Sequence, residues 1–217
     1  MLKKKRRMNE MIKEFYQNKV FPKLMNMSLG KTAIYNYRKE ILTHAYGSIL
    51  EIGIGMGSNL KCYPDSVKRI TAIDSYVRKI DSESVAVDLY DDHCEDMKFE
   101  DHSFDTVVST FCLCSVDSME TTLKEISRVL KPGGQLLLLE HGKSDNKVIQ
   151  KLQNLFNPLF KIFACGCNIN RDYFQVAEKM GFSWKERKTF KANLTPSFLA
   201  GFLYQGVAVK GENNENQ

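Results

Sequence analysis

The stretch Leu50-Glu51-Ile52-Gly53-Ile54-Gly55-Met56-Gly57-Ser58-Asn59 decides how the chain folds: a short apolar run passes straight into glycines at 53, 55 and 57. Glycine at such a junction lets the backbone turn at positive φ and lets a ligand approach closer than a Cβ permits. A nicotinamide-binding turn follows the pattern Gly-x-Gly-x-x-Gly or Ala. Here its last position is Ser58, which turns the reading away from dehydrogenases. A second apolar segment ends in Ala72-Ile73-Asp74, about 20 residues beyond the turn, where doubly wound folds present a carboxylate to a ribose diol. An aspartate at a strand end is also an ordinary turn residue, but after this glycine turn the ribose reading is preferred.

Working outward, the chain alternates in the α/β manner. Strands are expected over 48–53, 69–74, 85–90, 104–111 and 135–141. Between the fourth and fifth, Met119, Leu123, Ile126 and Leu130 fall on one helix face, Asp117 with Glu120 resembles a capping box, and Lys131-Pro132-Gly133-Gly134 would stop the helix. That is a strand, helix, strand crossover, the unit of a parallel sheet. Helices over 146–163, interrupted at Asn157-Pro158, and over 171–180 follow. Two last strands at 183–190 and 202–210 are separated by too much chain for a tight hairpin. On the N-terminal side a helix is expected over 31–44, preceded by an amphipathic one over 8–20 that carries Met8, Met11, Ile12, Phe15 and Tyr16 on one face. The organisation expected is a basic helical extension or lid over 1–45, one domain over 46–210 and a disordered tail over 211–217.

Charge narrows the function. The net charge is +5, and Lys3, Lys4, Lys5, Arg6 and Arg7 account for all of it, leaving 26 basic against 26 acidic residues in the body. A neutral body lacks the spread basic face of a nucleic-acid binder, so no nucleic-acid partner is expected. The longest aliphatic run, Leu136 to Leu139, is far short of a membrane span, and no apolar stretch follows the basic start as a secretory signal requires. A cytoplasmic protein with reduced thiols is expected, since six cysteines do not make a disulfide scaffold in a chain of 217 residues. Cys112-x-Cys114 and Cys165-x-Cys167 lack the wider spacing of structural zinc sites, so no metal is expected.

Taken with Asp74, Ser103-Phe104-Asp105-Thr106-Val107-Val108 and Arg128-Val129-Leu130-Lys131-Pro132-Gly133-Gly134, the glycine stretch resembles the class I S-adenosylmethionine-dependent methyltransferases over roughly Ile41 to Gly142. Asn59-Leu60 with Tyr63-Pro64, Glu95-Asp96-Met97, Leu113-Cys114-Ser115-Val116 and Glu140-His141 look most like the subgroup of membrane-associated animal thiol methyltransferases and bacterial phospholipid N-methyltransferases. The resemblance implies a Rossmann-like, mostly parallel seven-stranded sheet flanked by helices, with S-adenosyl-L-methionine as cofactor. It places Glu51, Gly53, Gly55, Gly57 and Asn59 at the cofactor's methionine and ribose, with Glu51 near its amino group. Asp74 and Ser75 fall at the ribose, Glu95, Asp96 and Met97 at the adenine, and Thr110 and Phe111 where cofactor and acceptor meet. Only 20 residues separate Asp74 from Glu95, which leaves room for a shorter helix than the family usually has there.

A sulfonium methyl is already activated, so the protein must mainly desolvate and align the acceptor, and no nucleophilic side chain is required. His141, just past the fifth strand, is the candidate base or acceptor-orienting group. A histidine bonding a loop carbonyl is the other reading. Helix 152–163 carries Leu152, Leu155, Phe156, Leu159, Phe160 and Phe163, more apolar surface than one covering face needs. With the basic start it suggests a lipophilic acceptor or peripheral contact with an anionic membrane, and packing over the sheet is the alternative. The expected activity is methylation of a small lipophilic thiol or lipid amine. Quinone or other O- or C-methylation, or non-catalytic binding of the cofactor, are the alternatives.

Overall fold

The computed structural model describes residues 32–75, 80, 82–164, 166–192 and 197–211. The amphipathic helix expected over 8–20, the basic run before it and the tail from 212 lie outside the described residues. The first described element is α1 (Thr32–Leu42), followed by β1 (Ile49–Ile52), β2 (Arg69–Ile73), β3 (Ala86–Tyr90) and β4 (Phe104–Thr110). Next come α2 (Met119–Val129), β5 (Leu130–His141), α3 (Lys147–Phe163), α4 (Tyr173–Lys179), β6 (Phe182–Lys191), α5 (Ser197–Ala200) and β7 (Phe202–Lys210).

The seven strands form one sheet in the order β3-β2-β1-β4-β5-β7-β6. β1 to β5 are parallel, and β7 enters antiparallel between β5 and β6. All four residues of β1 are buried, because a central parallel strand is covered on both faces; this is why its sequence runs apolar without alternation. On one face Ile34, Ile41 and Leu42 of α1 pack with Ile70, Val108, Leu137 and Val207. On the other, Leu123 and Ile126 of α2 and Tyr173 of α4 pack with Ile52, Val107, Leu136 and Leu138. The chain leaves β1 toward β2 on one side of it and β4 lies on the other, so a crevice opens beyond their carboxyl ends, where doubly wound folds bind ligands.

Three local expectations are corrected. The N-cap of α2 is Ser118, whose Oγ accepts from the Thr121 amide at 3.1 Å, instead of an Asp117–Glu120 box. The serine hydroxyl is short enough to reach the N3 amide from the cap itself. Lys131-Pro132-Gly133-Gly134 does not terminate α2 as a loop but lies within β5, and the pairing with β4 jumps from Phe104↔Leu130 to Thr106↔Gln135 to absorb it. Helix α3 runs through Pro158 unbroken, capped by Asn146, whose Oδ1 accepts from the amides of Val148 and Ile149. It is fastened on both sides of the proline. Buried Gln153 donates to the Gly142 and Leu199 carbonyls and accepts from the Ser144 amide, and Phe160 packs beneath.

Candidate cofactor and acceptor site

Gly53, Gly55 and Gly57 all adopt positive φ, between +57° and +72°. A Cβ at Gly53 would collide with Cys112 Sγ, and one at Gly57 would lie 2.8 Å from Leu60 Cδ1. At Gly55 it would meet nothing nearer than the Gly53 carbonyl at 4.0 Å. The first glycine is therefore required by the protein's own packing, the third lies against the tip of the Leu60 side chain, and the second borders open space. Asp74, at the end of β2, accepts from the Gly55 amide through Oδ2 at 2.8 Å and so ties the turn to the neighbouring strand.

Beneath the turn lies a buried polar network. Glu51 is 2% exposed; Oε2 accepts from the Tyr63 hydroxyl at 2.7 Å and Oε1 from Asn59 Nδ2 at 3.0 Å. Asn59 Nδ2 also donates to Thr110 Oγ1 at 2.9 Å. Arg38 of α1, 8% exposed, donates through Nη1 to Asn59 Oδ1 at 2.5 Å and Thr110 Oγ1 at 2.7 Å. Its guanidinium lies 5.0 Å from the centre of the Phe111 ring, in cation–π range. Burial pushes the Glu51 carboxyl up to about 7, although Tyr63, Arg38 and Asn59 all favour its anion. Burial likewise lowers the Arg38 pKa, with Glu51 opposing that shift. Sequence reading missed Arg38 and Tyr63 as site residues. Arg38 lies in the segment read as a lid, and no spacing links it to Asn59 or Thr110.

Phe111 leaves β4 with φ of +55°, a rare conformation for a bulky residue, and its ring sits 4.8 Å from the His141 ring at the end of β5. Glu140, fully buried, holds the loop after β4: it accepts from Ser109 Oγ and from the amides of Cys112, Leu113 and Cys114 at 2.7 to 3.1 Å. Burial raises the Glu140 pKa while these donors oppose the shift. His141 Nδ1 lies 3.9 Å from Cys167 Sγ, and the His141 carbonyl accepts from the Tyr173 hydroxyl at 2.7 Å. Cys114, its neighbour Cys167 and His141 are all buried. The interaction with Cys114, with help from His141, lowers the Cys167 thiol, and the Cys114 thiol is pushed up in turn.

The residues expected at the adenine take three different positions. Met97 is a core residue, packed with Leu50, Ile52 and Met119 under α2. Asp96 is exposed and ion-paired to Lys98, which lowers its pKa. Glu95 accepts from the Asp117 amide at 2.9 Å and so braces the start of α2. Cys94 packs against the same cluster, its Sγ 3.9 Å from the Cys112 Sγ that backs Gly53. Ser75 is exposed directly after Asp74. The outer surface of α3 carries Val148, Leu155, Phe156, Leu159, Ile162 and Phe163, all exposed, whereas Leu152 and Phe160 pack inward against Cys114, Cys167, Ile169 and Leu199.

This sheet order, with a glycine turn after its first strand and a carboxylate after its second, defines a Rossmann-like fold built for a nucleoside-bearing cofactor, and residues 50–138 match the methyltransferase domain family. The chain belongs to the class I S-adenosylmethionine-dependent methyltransferases, with S-adenosylmethionine as cofactor. It is 32% identical over 180 residues to thiol S-methyltransferase TMT1A of Homo sapiens, covering 75% of this chain and 70% of that one. It is 36% identical over 148 residues to thiol S-methyltransferase TMT1B of Rattus norvegicus, covering 63% of this chain and 60% of the relative. A 28% identical match over 123 residues links it to the ubiquinone/menaquinone biosynthesis C-methyltransferase UbiE of Pseudoalteromonas translucida, covering 56% and 49% of the two chains. Among solved structures, the putative methyltransferase in complex with the Haloferax volcanii Trm112 activator superposes with a TM-score of 0.66 at 15% identity, over 92% of this chain and 97% of that one. The [4+2]-cyclase SpnF superposes with a TM-score of 0.60 at 16% identity, over 83% and 80%. These two likenesses speak to the fold alone. Among the described residues, no helix is long and apolar enough to cross a membrane.

Proposed function

We propose that the protein methylates the sulfur of a small lipophilic thiol. The observation that carries this reading is the 32 to 36% identity to the thiol S-methyltransferases. The apolar outer face of α3, on the element covering the end of β5, supports a lipophilic acceptor and peripheral contact with an anionic membrane.

The residues at the crevice fit the cofactor. Gly55 borders open space that a side chain would fill, and a buried acid and a buried base stand below it. Bound S-adenosylmethionine supplies a methyl group already activated on a sulfonium. Asp74 would accept from the ribose hydroxyls while keeping its bond to the Gly55 amide. Glu51 would face the cofactor's ammonium, whose charge favours the carboxylate that burial disfavours. Arg38, a buried cation held by Asn59 and Thr110, would meet the cofactor's carboxylate. Phe111 and His141 wall the acceptor side and exclude water there. A thiol, with an unperturbed pKa near 8.5, needs the least help to reach its nucleophilic anion.

The 28% match to a quinone C-methyltransferase favours a second acceptor class. Transfer of labelled methyl with purified protein, a small hydrophobic thiol and a total lipid extract assayed in parallel separates the readings. Label on the thiol is the expected result. Label confined to the lipid fraction overturns sulfur methylation in favour of a lipid amine or quinone, and cofactor binding without any transfer leaves a binding protein.

A further inference from the structure

Cys114 Sγ, a ring nitrogen of His141 and Cys167 Sγ all lie within 4.8 Å of one another, and each residue is at least nine-tenths buried. They come from three separate segments: the loop after β4, the end of β5 and the turn after α3. Neither Cys-x-Cys pair has zinc spacing by itself, but the fold takes one cysteine from each pair and adds a histidine. Tetrahedral zinc, with bonds of about 2.3 Å to sulfur and 2.0 Å to nitrogen, sets its donors about 3.5 to 3.8 Å apart. The His141 Nδ1 to Cys167 Sγ separation is 3.9 Å and no pair exceeds 4.8 Å, so closing on an ion needs side-chain movements of about an ångström.

The backbone around the three donors is fixed independently of any ion. Glu140 accepts from the Cys114 amide, and Asn168 donates to the Cys114 carbonyl through both its amide, at 2.7 Å, and its side chain, at 3.0 Å. Arg171 donates to the Leu113 carbonyl and, at 2.6 Å, to that of Val116, clamping the loop from its other side. Gly166, at φ of +99°, lets the turn after α3 lie against Ser115; a Cβ there would sit 3.1 Å from the Ser115 carbonyl. The Tyr173 hydroxyl anchors the His141 carbonyl. Ile149, Leu152, Phe160 and Leu199 cover the cluster with apolar surface, an environment that strengthens coordination by excluding water.

We propose that Cys114, His141 and Cys167 form a three-donor site for a thiophilic cation, Zn(II). Two thiolates and an imidazole match the donor set of zinc sites that keep one position open, whereas Mg(II) and Ca(II) want oxygen. A tetrahedral ion held this way leaves its fourth position to water or another thiolate. The assignment does not depend on which acceptor is methylated.

Co(II), a spectroscopic stand-in for Zn(II), tests this on the full chain purified under reducing conditions. The expected result is one ion per chain, with thiolate-to-cobalt charge-transfer absorption and tetrahedral d–d bands that Zn(II) abolishes on competition. Cys114→Ser and Cys167→Ser should each remove the charge-transfer intensity of one thiolate. His141→Ala should weaken Zn(II) binding by more than about 100-fold, the upper end for loss of a mere supporting contact. Cys62→Ser, which alters a buried thiol outside the cluster, should leave the spectrum unchanged. Failure of the reduced wild-type protein to take up Co(II) or Zn(II) overturns the site whatever the variants do. Full absorption retained in Cys114→Ser and Cys167→Ser overturns it as well. A Cys114–Cys167 disulfide in a second preparation purified without reductant, with no metal uptake after reduction, replaces it with a redox pair.

Discussion

Arg38 Nη1 lies 2.7 Å from Thr110 Oγ1, a hydrogen bond across 72 residues that joins α1 to the carboxyl end of β4. The same nitrogen reaches Asn59, which reaches Glu51, so α1 is wired into the buried network beneath the glycine turn. A hydrogen bond to a charged group contributes about 1.5 to 3 kcal/mol. Arg38→Ala should therefore weaken S-adenosylmethionine binding by roughly 10- to 100-fold in calorimetry, with Arg38→Lys intermediate because a single ammonium cannot replace the fork. Wild-type affinity in Arg38→Ala would sink the assigned role.

Asp74→Ala should cost about 1 to 3 kcal/mol of cofactor affinity, through lost ribose bonds and a loosened Gly55 amide. Asp74→Asn, which keeps one acceptor oxygen for that amide, should lose less. Equal losses in the two variants would place the effect in charge and not in the geometry of the turn.

Gly53→Ala and Gly55→Ala separate folding from binding. At Gly53 the new methyl has no room beside Cys112 and should destabilise the protein by roughly 2 kcal/mol or more in urea unfolding. At Gly55 the space is open, so stability should fall by only about 1 to 2 kcal/mol from the left-handed backbone, while cofactor binding is lost. A Gly55→Ala protein that binds normally would show that the open space is not the cofactor's.

Glu51 predicts a pH signature. Its carboxyl sits near 7 in the fold against 4.5 when free, so in unfolding the exposed group ionises first and the buried acid's contribution to stability is lost as pH rises. Relative to Glu51→Gln, the cofactor-free wild type should lose roughly 2 to 3 kcal/mol between about pH 4.5 and 7, then level off. Urea titrations of both proteins across that range check the sign. A constant difference would mean the carboxyl ionises normally in the fold.

The outer face of α3 should serve the acceptor and not the fold. Leu155→Gln with Ile162→Gln changes two residues that are 70% and 71% exposed, so the unfolding midpoint should hardly move. Co-sedimentation with anionic vesicles in low salt, and turnover of a lipophilic thiol, should both drop several-fold. Unchanged values in both would assign this surface no part in acceptor delivery.

The strands and most helices were legible in the sequence because their signals are local. The apolar run 49–52 must be buried on both faces, Met119, Leu123 and Ile126 mark one helix stripe, and glycines at 53, 55 and 57 report a turn that only they can make. Cap and break positions were less legible. Ser118 beats Asp117 because the hydrogen bond forms at whichever residue the fold leaves in extended conformation, and Pro158 is tolerated because contacts on both sides hold α3 together.

What the sequence by itself determined is the alternation of elements, the glycine turn and the acid after the second strand, all set by residues a few positions apart whose conformational preferences act alone. Only the tertiary structure decided that Arg38 reaches Thr110, that Met97 turns into the core and Cys94 meets Cys112, and that one cysteine from each pair meets His141. The reason is physical. These meetings are between side chains far apart in the chain, brought together by the parallel register of β1, β4 and β5 and by the burial of their apolar neighbours. No periodicity along the chain encodes a distance between segments that touch only once the sheet has formed.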